Sequence, residues 1–173
     1  MSKLSQRAID ALNDKIERLE EVYDELKDIA EKEMDRYWAV FRLRNQSIIN
    51  AASRGEQTKK VGRLAPRVHK MTDRDSVRLE WIILDGSPRR TQSSPGKKST
   101  KHFSKTVPQP QRGYSAGTFK RFNCEDWEIE MALESERILS PVRKAMKQIK
   151  QEIRSTRFQI KELRSTFEEK ENG

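Results

Sequence analysis

The side chains in this sequence with the clearest chemical potential are cations gathered in its middle third. Lys59, Lys60, Arg63, Arg67 and Lys70 form a first group, Arg89, Arg90, Lys97, Lys98, Lys101 and Lys105 a second, and Arg112, Lys120 and Arg121 a third. Serine, threonine, glutamine and glycine lie between them and add donors suited to phosphate oxygens. Residues 54–123 hold 17 Lys/Arg against 5 Asp/Glu, a net +12, whereas residues 1–53 stand at −2 and residues 124–173 at −1. Such a surface attracts a polyanion by releasing condensed counterions, and its binding falls steeply with salt. Nucleic acid is the expected partner, double-stranded DNA first, with structured RNA as the alternative in that class. An anionic membrane fits less well, because no large apolar helix face lies beside these cations.

Other chemistry is poorly represented. There is no phosphate-cradling glycine loop, no metal-ligand spacing and no nucleophile elbow. His69 and His102, the only histidines, sit among lysines and arginines rather than beside a nucleophile. The single cysteine, Cys124, cannot form an internal disulfide, and with two histidines it cannot assemble a zinc site. The expectation is a protein without catalytic residues, cofactor or metal. Met1 to Leu12 lacks the apolar core of a signal peptide, and no stretch approaches the roughly 18 apolar residues of a membrane span, so a soluble, reducing compartment is expected.

The cations must be positioned by a chain that is only 34% apolar and 36% charged, too polar for a large globular core. Its apolar residues are instead sorted into stripes. Ile9, Leu12, Ile16, Leu19, Tyr23, Leu26 and Ala30 alternate steps of three and four, a heptad seam, and Tyr37, Val40 and Phe41 continue an amphipathic face. No glycine or proline interrupts the chain before Gly55, which predicts one helix over 3–52. A second seam, Val142, Met146, Ile149, Ile153, Thr156, Ile160, Leu163 and Phe167, predicts a C-terminal helix over 124–170. Asn123 is its expected N-cap, with Glu125, Asp126 and Glu128 complementing the dipole. Ser140-Pro141 admits either a kink in one helix or a cap that restarts a new one, and the kink is preferred.

Charge gives the two helices a direction. Residues 10–35 carry −7 and residues 137–164 carry +7, while residues 36–54 carry +4 and residues 125–136 carry −6. Folding the chain back on itself sets opposite charges together, a pattern that selects orientation more than it adds stability. A homodimer through the coiled coil remains an alternative pairing.

Between the helices, residues 54–123 read as a basic, strand-containing head. Ser76 to Leu84 is the best strand, with Val77, Leu79, Trp81 and Ile83 alternating onto one face. Weaker strands are expected at Lys101 to Val107 and Thr118 to Phe122, an edge strand at Leu64, Val68 and Met71 around Pro66, and a loop at 85–99. Trp38, Phe41, Phe119, Phe122 and Trp127 are the expected junction core, and Trp81 is a further candidate. The predicted fold is therefore mainly α with a small β insertion: a long antiparallel helical hairpin, or coiled-coil stalk, carrying a small basic sheet.

In three places the chain resembles the MobI-type mobilisation proteins of integrative conjugative elements: Tyr37-Trp38 through Arg42, Arg78-Leu79-Glu80-Trp81, and Cys124-Glu125-Asp126-Trp127-Glu128-Ile129. The resemblance implies a cytoplasmic bacterial protein that binds origin-of-transfer DNA and helps a relaxase, or another conjugation protein, begin DNA processing. It brings no catalytic residues. The competing reading is a coiled-coil scaffold or prefoldin-like chaperone, since a helical hairpin interrupted by strands is also that architecture.

Overall fold

The structure, a computed structural model, describes residues 3–56, 59–71, 76–84 and 104–171. The protein is mainly helical with one small antiparallel sheet. Helix α1 (Lys3–Ser53) is followed by strands β1 (Leu64–Met71), β2 (Ser76–Leu84) and β3 (Ser104–Val107), a short helix α2 (Ala116–Lys120) and a long helix α3 (Asp126–Glu171). By contacts the chain divides into two compact units, residues 1–29 with 141–173, and residues 30–140.

Helix α1 ends where its first glycine permits it. Gly55 takes φ 76, its N–H bonds Ala52 O and the next N–H bonds Ala51 O, which closes the last turn with paired carbonyls. Helix α3 runs unbroken through Pro141, so the helix does not restart there. Its start departs from expectation. Asn123 does not cap it but sits in the left-handed region, φ 54, with its N–H on Lys120 O. The helix opens instead after Glu125, whose carbonyl accepts the N–H groups of Glu128 and Ile129 while its own N–H donates to Glu128 Oε2 (2.8 Å).

In the first unit, Ile9, Ile16 and Ile160 form a buried cluster flanked by Leu12, Ile153 and Leu163. Lys15 meets Glu152 and Glu20 meets Arg157, each at 2.8 Å, and the Lys150 ammonium lies 4.8 Å from the Tyr23 ring centroid. Those ion pairs are about half exposed and contribute little beyond orientation.

In the 30–140 unit the strand order is β1-β2-β3, both pairings antiparallel, with Trp81 opposite Pro66 on one side and Val107 on the other. The expected edge strand is present. Tyr37 Oη donates to Leu64 O (2.7 Å) and Trp38 Nε1 to Pro66 O (3.3 Å), so the backbone of these residues faces away from β2. Pro66 therefore removes no ladder bond. The segment Thr118 to Phe122 is not a strand. Ser115 and Thr118 make a reciprocal capping box that starts α2, and Phe119 is fully buried between Trp81 and Tyr114. The strand expected at Lys101 to Val107 is present as Ser104–Val107, and residues 101–103 and the loop 85–99 lie outside the described residues.

An aromatic chain joins these elements. Tyr114 stacks on Phe119, Phe119 meets Trp81 edge-on, Trp81 meets Tyr37, and Tyr37 and Phe41 continue to Trp127, with centroids 5.2–6.0 Å apart. Of the expected junction core, Phe41, Phe119 and Trp127 are buried, whereas Trp38 and Phe122 are half-buried. Within this unit Glu33 meets Ser135, Arg36 meets Glu134 and Phe41 meets Trp127, so residue numbers rise on α1 as they fall on α3.

Three carboxylates lie inside the unit. Glu136 accepts from Trp81 Nε1 (2.6 Å), and Glu128 accepts from the N–H groups of Arg63 and Leu64. Glu33 accepts two 2.8 Å bonds from Arg36 and one of 2.5 Å from Ser135 Oγ. Burial pushes the Glu33 carboxyl up, but the bonds from Arg36 and Ser135 and the Arg36 charge outweigh it and hold the group below 4.5. A depressed native value stabilises the fold above the unfolded value and is lost as pH falls through the folded one. Urea midpoints should therefore fall as pH drops below about 4.5, and Glu33→Gln should flatten that acid limb.

Candidate nucleic-acid interface

The expected cations that the structure describes fall around the 30–140 unit, and their supports explain where they sit. The segment after α1 is pinned by Asn45, whose Oδ1 accepts the Gly62 N–H (2.7 Å) and whose Nδ2 donates to Gly62 O (3.2 Å). A Cβ on Gly62 would lie 2.5 Å from the buried Trp127 ring, so only glycine lets the segment approach this closely. Lys59 and Lys60 are thereby fixed on the exterior, with Arg63 half-buried beside them. Lys60 stands 3.7 Å from Glu125 but is 87% exposed, which leaves its charge largely available.

A second group gathers at the far side of the sheet order. The Lys105 ammonium on β3 lies 5.6 Å from the Phe122 ring centroid, and Lys120 and Arg121, which precede Phe122 in the chain, are both exposed. Arg112 is exposed on the turn closed by the Gly113 N–H on Pro110 O. Lys70 is exposed near the end of β1. Arg67 differs from the others because its guanidinium is occupied within the sheet by Glu80 on β2 and by Ser104 (3.2 Å) and Thr106 (3.3 Å) on β3. It ties three strands together. Arg89, Arg90, Lys97, Lys98 and Lys101 lie outside the described residues.

The structure adds cations that the sequence reading did not single out. Arg42 lies 5.4 Å from the Trp38 ring centroid and Arg44 lies 5.6 Å from that of Trp127, and both are exposed. Such stacking holds a guanidinium in place while leaving its donors outward. The i, i+4 spacing of Trp38 and Arg42 was a local signal for the first, whereas nothing local signals the second. Arg78 is also exposed, opposite His69 in the β1–β2 register, with His69 Nδ1 4.0 Å from Glu80.

Nucleophilic chemistry has little support around Cys124. Burial first, and then Glu128, push its thiol up to about 12, against a smaller opposing effect of Arg63. A thiol held protonated is a poor nucleophile. Cys124 should react with iodoacetamide at neutral pH at least about tenfold more slowly in the native protein than in urea, read by mass spectrometry. Among the described residues there is no cluster of His, Cys, Asp and Glu able to hold a metal ion, and no helix long and apolar enough to cross a membrane.

Fold and surface together define a mainly helical protein whose small sheet is held by inward carboxylates and rimmed by exposed cations. A family model described as MobI protein matches residues 26–157, which is more than half of the chain and contains the whole of the 30–140 unit. The chain belongs to the MobI family, a family of conjugative mobilisation. No curated protein and no solved structure matches it.

Proposed function

We propose that this protein is a non-catalytic accessory factor that binds origin-of-transfer DNA through the cations of the 30–140 unit and assists a relaxase in starting conjugative transfer, in the bacterial cytoplasm. The observation that carries this reading is the sorting of charge in that unit. Glu33, Glu128 and Glu136 are 5%, 2% and 6% exposed and are used as internal acceptors, whereas Lys59, Lys60, Lys105, Arg112, Lys120 and Arg121 are exposed. The surface is more cationic than the sequence count alone suggests, and phosphate contacts of this kind position a protein on a duplex without reading bases. The helix pair of the other unit is the natural place for protein contacts, as coiled coils use flanking charges to choose partners.

Fluorescence anisotropy with a labelled duplex tests the reading. Binding at about 50 mM salt that weakens by orders of magnitude at about 200 mM is expected, and no binding at the lower salt would remove it. Preference for RNA over a matched DNA duplex would redirect the proposal to structured RNA.

A scaffold or prefoldin-like role is the second reading. It draws on the shallow groove lined by Ile48, Ile49, Ala52 and Val61 beside Lys59 and Lys60, where Ile49 and Val61 are exposed. Suppressed aggregation of a model client without salt-dependent DNA binding would favour it.

A further inference from the structure

We infer that the helix pair of residues 1–29 and 141–173 carries a self-complementary surface that docks a second copy of this chain. This does not rest on the DNA-binding reading, because it concerns different residues. On α1, Ile9, Ile16 and Tyr23 are buried in the seam, and Lys15 and Glu20 flank it in ion pairs to α3. Asp10, Asp14, Glu17, Glu21, Asp24 and Asp28 occupy two neighbouring outer positions of the same heptads, and all are exposed. On α3, Met146 and Ile160 are buried in the seam, and the matching outer positions hold Lys144, Lys147, Arg154 and Lys161, also all exposed.

Like charges spaced three and four apart on one helix repel. Arg7 and Arg18 on α1 and Glu162 on α3 are outer exceptions. The run from Asp10 to Asp28 and the run from Lys144 to Lys161 nonetheless each keep one sign in these two positions, from which a solvated helix pair gains nothing. The ion pairs that join α1 to α3 use the flanking positions and leave both rows outside. In a two-fold pairing, each acidic row would face the partner's basic row, so one patch is satisfied twice. Phe158 stands within the basic row at 60% exposure. An exposed aromatic among cations suits the centre of a protein contact better than a phosphate backbone.

Sedimentation velocity of the full chain, with circular dichroism to check helicity, tests this. The expected result is a dimer at tens of micromolar protein and about 50 mM salt, with dissociation strengthened at least about tenfold at 0.5 M. Lys147→Glu/Arg154→Glu/Lys161→Glu and Glu17→Lys/Glu21→Lys/Asp24→Lys should each be monomeric yet helical, and mixing the two should restore a 1:1 dimer. Phe158→Glu should weaken the dimer at unchanged helicity. A monomeric wild type under all these conditions overturns the proposal, as does a dimer indifferent to both triple variants. Loss of DNA binding in the basic-row variant, with no dimer in the wild type, would assign that row to nucleic acid instead.

Discussion

Replacing Glu128 by alanine is expected to destabilise the 30–140 unit by about 3–5 kcal/mol, since three backbone donors lose their common acceptor and an unsatisfied donor costs about 1–3 kcal/mol. The side chain is 2% exposed and accepts from three backbone N–H groups, those of Arg63 and Leu64 through Oε1 and that of Glu125 through Oε2. The Leu64 bond is buried and those of Arg63 and Glu125 are part-buried, so alanine leaves all three donors without their protein acceptor. Glu128→Gln keeps one acceptor oxygen but turns an amide donor towards the other N–H groups, and should fall between alanine and wild type. Urea denaturation followed by Trp fluorescence reads the difference, because Trp81 and Trp127 are both buried in this unit. A loss below about 1 kcal/mol for Glu128→Ala would mean that the segment before β1 is held by Asn45 and Trp127 alone.

That carboxylate marks the boundary of what the sequence made legible. The two seams were readable because a three-four repeat writes the buried face directly into residue order, and Ser76 to Leu84 was readable from its β-branched and aromatic content. Residue order shows Glu128 only as a first-turn acid favouring the helix dipole, since two of its three contacts are 64 and 65 residues away. Glu33 and Glu136 were hidden for the same reason, as solvent-facing acids and internal acceptors share one letter code. The segment Thr118 to Phe122 misled because five residues are too few to separate the two periods, and the Ser115–Thr118 capping box outweighs strand propensity there. Among the cations, composition identified the basic region but could not tell Arg67, occupied between three strands, from Lys60, left outside. Arg44 was missed because the ring beneath it comes from a helix at the other end of the sequence.

Reversal of five exposed cations, Lys59, Lys60, Lys105, Lys120 and Arg121, to glutamate should lower duplex affinity by on the order of 10³ near 100 mM salt. Each cation that contacts a phosphate contributes close to one released counterion, so the slope of log affinity against log salt should become shallower by about 4–5 if all five make contact. The loss should be equal on a transfer-origin duplex and on a shuffled one, since phosphate contacts carry no base information. Arg67→Gln supplies the contrast. Its donors are occupied by Glu80, Ser104 and Thr106, so it should lower the urea midpoint while leaving the salt slope within about one unit of wild type. An unchanged slope in the five-fold variant would move the contact to the cations between Arg89 and Lys101. A slope that falls with Arg67→Gln alone would mean that the sheet face itself meets the duplex, with Arg78 and His69 as the neighbouring residues to replace next.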